Sequence, residues 1–132
     1  MKVIVKCAAI IIWQRSLLLT RKRGTSIFIS PGGKPLVGED HLACLKRELQ
    51  EELGVQVKAF RPFGLFHGLA EFEATAIENH VYHVEITGQP RAGSEIEEIA
   101  WVNYRKPPCE IAVGSIFRDN VLPLLYQQEL IN

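Results

Sequence analysis

Gly33-Lys34-Pro35-Leu36-Val37-Gly38-Glu39-Asp40-His41-Leu42-Ala43-Cys44-Leu45-Lys46-Arg47-Glu48-Leu49-Gln50-Glu51-Glu52-Leu53-Gly54-Val55 is the most informative stretch of this chain. Asp40 offers an N-cap, Leu42, Leu45, Leu49 and Leu53 recur at helical spacing, and Gly54 stands where a left-handed residue ends a helix. One stripe of that helix is apolar. On another, Glu48, Glu51 and Glu52 fall three and four residues apart, which gathers three carboxylates beside Arg47. Like charges at that spacing repel. The acidic stripe is therefore either a solvated face, offset by Lys46 and Arg47, or a holder of cations. Clustered oxygen ligands without imidazole or thiolate suit Mg2+ or Mn2+, and Mg2+ completes its shell with water and substrate phosphates. The pattern points to phosphate chemistry.

On the N-terminal side, Val3 to Ile12 is an apolar, β-branched run that reads as a strand buried on both faces. Trp13-Gln14-Arg15-Ser16 reads as a turn, and Leu17 to Arg23 as the returning strand of a hairpin. Ile27 to Ser30 is a short strand that Pro31-Gly32-Gly33 ends. Beyond the helix, Val55 to Phe66, Phe72 to Ala76, His80 to Ile86 and Ile99 to Val102 read as strands. Pro107-Pro108 then precedes a helical region in two pieces, in which Asp119 caps a final helix from Asn120 to Leu130 with Pro123 near its first turn. This order predicts an α+β fold, a mixed sheet covered by helices.

Composition narrows the function. The 132 residues suffice for one domain, spanning 1–132, and 47% apolar with 23% charged residues excludes disorder. Fifteen basic residues balance fifteen acidic ones, so no basic excess exists to neutralise a nucleic-acid duplex. No apolar run, that of Ala8 to Trp13 included, is long enough for a bilayer, and the opening Met1-Lys2-Val3-Ile4 lacks the features of a signal peptide. Cys7, Cys44 and Cys109 are odd in number and far apart, which suggests free thiols and a cytoplasmic setting. Cys44, next to the core leucines, reads as a small buried apolar residue. His80 and His83 would face opposite sides of a strand, which argues against zinc.

Residues 33–55 also fit the Nudix box at every specified position: Gly, five residues, Glu, seven residues, Arg-Glu, aliphatic, any, Glu-Glu, any, Gly, aliphatic. From average residue usage a chance match is on the order of one in a billion per window. The chain thus resembles the small MutT-type Nudix hydrolases, which implies an α/β/α sandwich with a mixed β-sheet between helices. The resemblance makes Glu48, Glu51 and Glu52 metal ligands, together with the main-chain carbonyl of Gly32. It gives Arg47 the task of pairing with the glutamates and orienting them, and gives Gly33, Glu39 and Gly54 that of supporting the site. The segment Ser94 to Val102 looks like the one that adds a loop glutamate, as ligand or general base. Glu95 matches it best, with Glu98 as rival. Glu48, Glu51, Arg47 and Glu95 are then the expected catalytic residues.

For substrate, the resemblance points to Arg21, Lys22 and Arg23 at the end of the second strand, and to Lys34. Strand alternation sends Lys22 to the opposite side from Arg21 and Arg23, so the three cannot all face the phosphates. Phe28 and the Asp119-Asn120 pair are the expected contacts of a base. The implied activity is Mg2+-dependent cleavage of the diphosphate linkage of a nucleoside diphosphate derivative, with Mn2+ as a substitute ion. A MutT-like nucleoside triphosphate pyrophosphatase comes first, because the chain is compact and carries no added N-terminal domain. An ADP-ribose or nucleotide-sugar pyrophosphatase comes second; such enzymes often have a proline where this chain has Glu71. A catalytically silent nucleotide-sensing module is the rival from another class, and retention of Glu39, Glu48, Glu51 and Glu52 opposes it. An RNA-end hydrolase would want a basic surface. The expected partner is a small nucleotide, with no duplex and no membrane, and the protein a monomer or homodimer. Ser30 and Leu36 depart from common choices outside the specified positions, which bears on substrate preference.

Overall fold

The apolar run that begins at Val3 divides at Ile11. In the computed structural model, which describes residues 3–69, 75–105 and 111–132, β1 (Val3–Ile10) belongs to one sheet and β2 (Ile12–Trp13) to another. The first sheet has the order β5 (Gly32–Gly33), β1, β7 (Ala76–Thr87), β6 (Gln56–Leu69), with β1 and β7 parallel and the other pairs antiparallel. The second runs β2, β3 (Ser16–Lys22), β4 (Ile27–Ile29), β9 (Ala112–Val113), and β8 (Ile96–Val102) pairs with β3. The strands are mixed in direction as expected, but they form two sheets.

The turn between β2 and β3 is a two-residue one. Gln14 and Arg15 both take positive φ, 49° and 58°, the backbone that matches the twist of a tight hairpin. Alternation explains why the inner strands are apolar on both faces. Cys7, Ala9, Ile11 and Leu18 join Leu45, Leu49 and Leu53 of helix α1 (His41–Leu53) in one core. Ala8, Ile10, Leu17 and Leu19 face the other way, into a core with Val121, Leu122 and Leu125 from the C-terminal helix. Helices on both sides of the strands make the α/β/α arrangement.

Both ends of α1 are fixed. The Asp40 side chain accepts the Ala43 N–H at 2.7 Å, and Gly54, at φ 66°, donates its N–H back to Gln50. The carbonyls of Glu52 and Leu53 accept from the N–H groups of Gly93 and Arg91 at 2.9 and 3.0 Å. That pairing docks the segment before β8 against the end of α1.

The C-terminal helix differs from the sequence-based expectation. It starts directly after Gly114, passes through a π-helical turn, Phe117–Val121, and runs on as α2, Leu122–Gln127. Pro123 has no N–H and its ring would collide with the carbonyl of Asp119 in a regular helix; the widened turn accommodates it. Asp119 is therefore inside the helix and caps nothing, its carboxylate bonding Arg118 at 2.8 and 3.0 Å. Of the strand expected over Phe72 to Ala76, only Thr75 and Ala76 are described, and Ala76 opens β7. Glu71, Pro107, Pro108 and Cys109 lie outside the described residues. Among the described residues no helix is long and apolar enough to cross a membrane.

Candidate active site

The site begins with two glycines. Gly32 and Gly33 pair with Ala8 and Cys7 of β1 and lie under the acidic stripe of α1. Gly32 has φ 137°, and a Cβ there would strike the carbonyl oxygen of Cys7. A Cβ on Gly33 would stand 2.5 Å from the carboxyl carbon of Glu48. Side chains at these positions would push the helix carboxylates away from the turn.

Glu52 reaches down to the same turn, its Oε1 accepting the Gly32 N–H at 2.9 Å. It is 8% exposed, and burial pushes its carboxyl up to about 7, against the opposing pull of that N–H. Arg47 organises the other side. Its Nε and Nη2 donate to the two oxygens of Glu39 at 2.8 and 2.9 Å, and its Nη1 to Glu48 at 2.7 Å. Nη2 also reaches the Lys34 carbonyl at 3.2 Å. One guanidinium thus ties the loop after the glycines to the helix above it. Glu39 is held down at about 2 by Arg47 and by the Leu36 N–H, and Arg47 is raised in turn by Glu39. Glu51 is half exposed, 3.8 Å from Arg47.

A cleft of about 320 Å³ opens beside this assembly. Its wall includes Gly32, Gly33 and the adjoining Lys34, Glu48 and Glu52 of α1, and Lys22 and Glu95 from two other segments. Glu95 comes from the segment docked on the end of α1, whereas Glu98, on β8, bonds Arg21 at 3.2 Å. Alternation along β3 separates the basic triplet as expected. Lys22 lines the cleft, Arg21 faces Glu98 and the Thr25 carbonyl, and Arg23, just past the strand, pairs with Glu97.

Three residues expected near a base are placed elsewhere. Phe28 is buried in the core shared with Val121 and Leu125 and does not line the cleft. Asp119 and Asn120 are exposed on the C-terminal helix, outside the cleft wall, because the helix begins earlier than its sequence suggested. The sequence reading passed over Asn79 of β7, which does line the cleft. It is 5% exposed, and among the described residues its Oδ1 has no hydrogen-bond partner. An unpaired buried acceptor costs about 1–3 kcal/mol. The signal was available: an amide between Ile77 and Val81 on the inward face of an alternating strand.

The donors fit a hard divalent ion. Among the described residues no three acidic, imidazole or thiol groups already converge on one point. Glu48 is turned to Arg47, Glu52 to the Gly32 N–H, and Glu51 is half exposed. An open set of carboxylates beside a backbone turn suits Mg2+, which binds few protein carboxylates and retains water and phosphate oxygens.

Comparison with known proteins agrees with this architecture. The family model described as NUDIX domain matches residues 4–125. The solved structure of the E. coli ORF135 protein is 26% identical, with a TM-score of 0.70 over 98% of this chain and 90% of that one. A MutT NUDIX hydrolase from Burkholderia pseudomallei is 19% identical and superposes with a TM-score of 0.76, covering 97% and 98%. A UDP-X diphosphatase is 20% identical, with a TM-score of 0.75, over 98% of this chain and 65% of that one. No curated protein sequence matches significantly.

Proposed function

This chain belongs to the Nudix hydrolase family, and from that premise we propose that it is a Mg2+-dependent nucleoside triphosphate pyrophosphohydrolase. The observation that carries the reading is the Arg47 clamp: one guanidinium joins Glu39 to Glu48 above Gly33, while Glu52 is pinned on Gly32. That construction holds carboxylates at the rim of a cleft that also presents Lys22, Lys34 and Glu95.

Glu48, Glu51, Glu52 and the Gly32 carbonyl would hold the ion, and Glu95 lines the same cleft. When bound, Mg2+ neutralises diphosphate oxygens and acidifies water. Lys22 and Lys34 add positive charge for the phosphates. Arg47 keeps Glu48 in place, and because Glu48 is so engaged, the Glu95 carboxylate takes the proton of the attacking water. Water oxygen bonds to phosphorus, the anhydride P–O bond breaks, and its electron pair leaves with pyrophosphate.

The test is product release with Mg2+ from canonical and 8-oxo nucleoside triphosphates, ADP-ribose, nucleotide sugars and dinucleoside polyphosphates. Pyrophosphate from triphosphates, lost in Glu51→Gln, supports the reading. Turnover confined to ADP-ribose or nucleotide sugars overturns the triphosphate assignment. Nucleotide binding without any turnover overturns the enzyme in favour of a sensing module.

A further inference from the structure

We propose that Asn79 is a specificity-determining residue that hydrogen-bonds the base of the substrate, an inference that rests on the triphosphate hydrolase reading. Asn79 is almost fully buried, lines the cleft, and leaves its Oδ1 without a partner among the described residues. Buried amides in folded proteins are ordinarily satisfied, so an orphan in a cleft wall marks a group kept for a ligand. A carboxamide is neutral and offers a donor and an acceptor side by side, and a half-turn about χ2 exchanges them. Its complement is an edge that also carries a donor next to an acceptor, as the edges of nucleobases do.

The surroundings fit a flat heterocycle. Ile77, Ile116 and Phe117 line the same cleft and supply apolar wall for a ring. The position fits as well. Gly32 pairs with Ala8 on one edge of β1, and Asn79 pairs with Lys6 on the other. Two strand spacings and a two-residue offset put the Gly32 and Asn79 backbones roughly 12 Å apart. That is comparable to the reach from the phosphates to the base edge of an extended mononucleotide. With phosphates beside Gly32 and Lys22, the base arrives at Asn79.

The experiment compares kcat/KM for GTP, ATP, CTP, UTP and 8-oxo-dGTP in the native protein, Asn79→Leu and Asn79→Ala, with inorganic tripolyphosphate as a base-free inhibitor. The native enzyme should rank the bases, and the spread between best and worst should shrink by about 10- to 100-fold in both variants. Tripolyphosphate inhibition should stay unchanged, because the Asn79 backbone lies roughly 12 Å from that of Gly32. The melting temperature of Asn79→Leu should not fall, because the change removes an acceptor that has no partner among the described residues. Asn79→Ala carries the test if the larger leucine prevents folding. An unchanged ranking in a folded variant overturns the role of Asn79 and leaves the hydrolase reading intact, as does a variant with weakened tripolyphosphate inhibition and an unaltered ranking. No turnover of any triphosphate by the native protein overturns both.

Discussion

Arg47 joins Glu39, Glu48 and the Lys34 carbonyl in the proposed site. Its bidentate grip on Glu39 needs a planar fork, which lysine lacks. Arg47→Lys should therefore lower kcat/KM by about 10- to 100-fold and raise the Mg2+ concentration needed for half-maximal rate, read by titrating Mg2+ in initial-rate assays. A melting temperature close to native would show that orientation of the glutamates was lost, with the fold retained. The loop glutamates give a second contrast. Glu95→Gln should cost about 100-fold or more in kcat, the range of a lost general base. Glu98→Gln breaks only its partly exposed pair with Arg21 and should leave the rate nearly unchanged. At this scale the sequence was informative wherever spacing alone decides a neighbour. The i, i+3, i+4 set of Glu48, Glu51 and Glu52 could be written from the numbers. Choosing between Glu95 and Glu98 could not, since it depends on how Gly93 docks on the Glu52 carbonyl, a contact between segments far apart in the chain.

Helix α1 illustrates what local chemistry fixes at the level of an element. Its N-cap, its leucine stripe and its left-handed terminal glycine were all readable, because each acts within a few residues. Asp40→Ala removes the acceptor for the Ala43 N–H and should destabilise the protein by about 1 kcal/mol, measured as a shift of the urea midpoint. Activity should be little altered in the folded protein, because Arg47 and Gly32 hold the carboxylates independently of the cap. The C-terminal helix shows the opposite case. Asp119 followed by Asn120, with Pro123 a few residues on, has the composition of a helix start. The helix instead starts after Gly114 and meets Pro123 inside its run, resolving the clash by the π turn. Burial of Phe117 and Val121 in the core outweighs the local preference for starting at Asp119. Asp119 and Asn120 leave the cleft for that reason.

Across the whole molecule, the α/β/α architecture follows from strands that are apolar on both faces, which was legible in the run from Cys7 to Ile11, whereas Val3 and Val5, read as part of the same buried strand, are exposed. The division into two sheets was not legible, because an apolar run carries no mark of where pairing changes from one neighbour to another. The exchange at Ile11 depends on the hairpin at Gln14 and Arg15, which takes β2 to β3. The cleft inherits this division. It draws Gly32 and Asn79 from the first sheet and Lys22 from the second, and α1 adds Glu48 and Glu52. No linear motif spans those segments, which is why the box pointed to the proposed metal ligands and said nothing of Asn79. Binding of Mn2+, followed by electron paramagnetic resonance in the native protein and in Glu52→Gln, with and without a nucleoside triphosphate whose α,β bridge is methylene, tests the assembly most directly. Native protein should bind Mn2+ and bind it more tightly once the analogue is present, and Glu52→Gln should lose most of that binding while melting as a folded protein. Equal Mn2+ binding in the two proteins, or nucleotide bound equally well with all metal removed, would contradict a metal site built on α1.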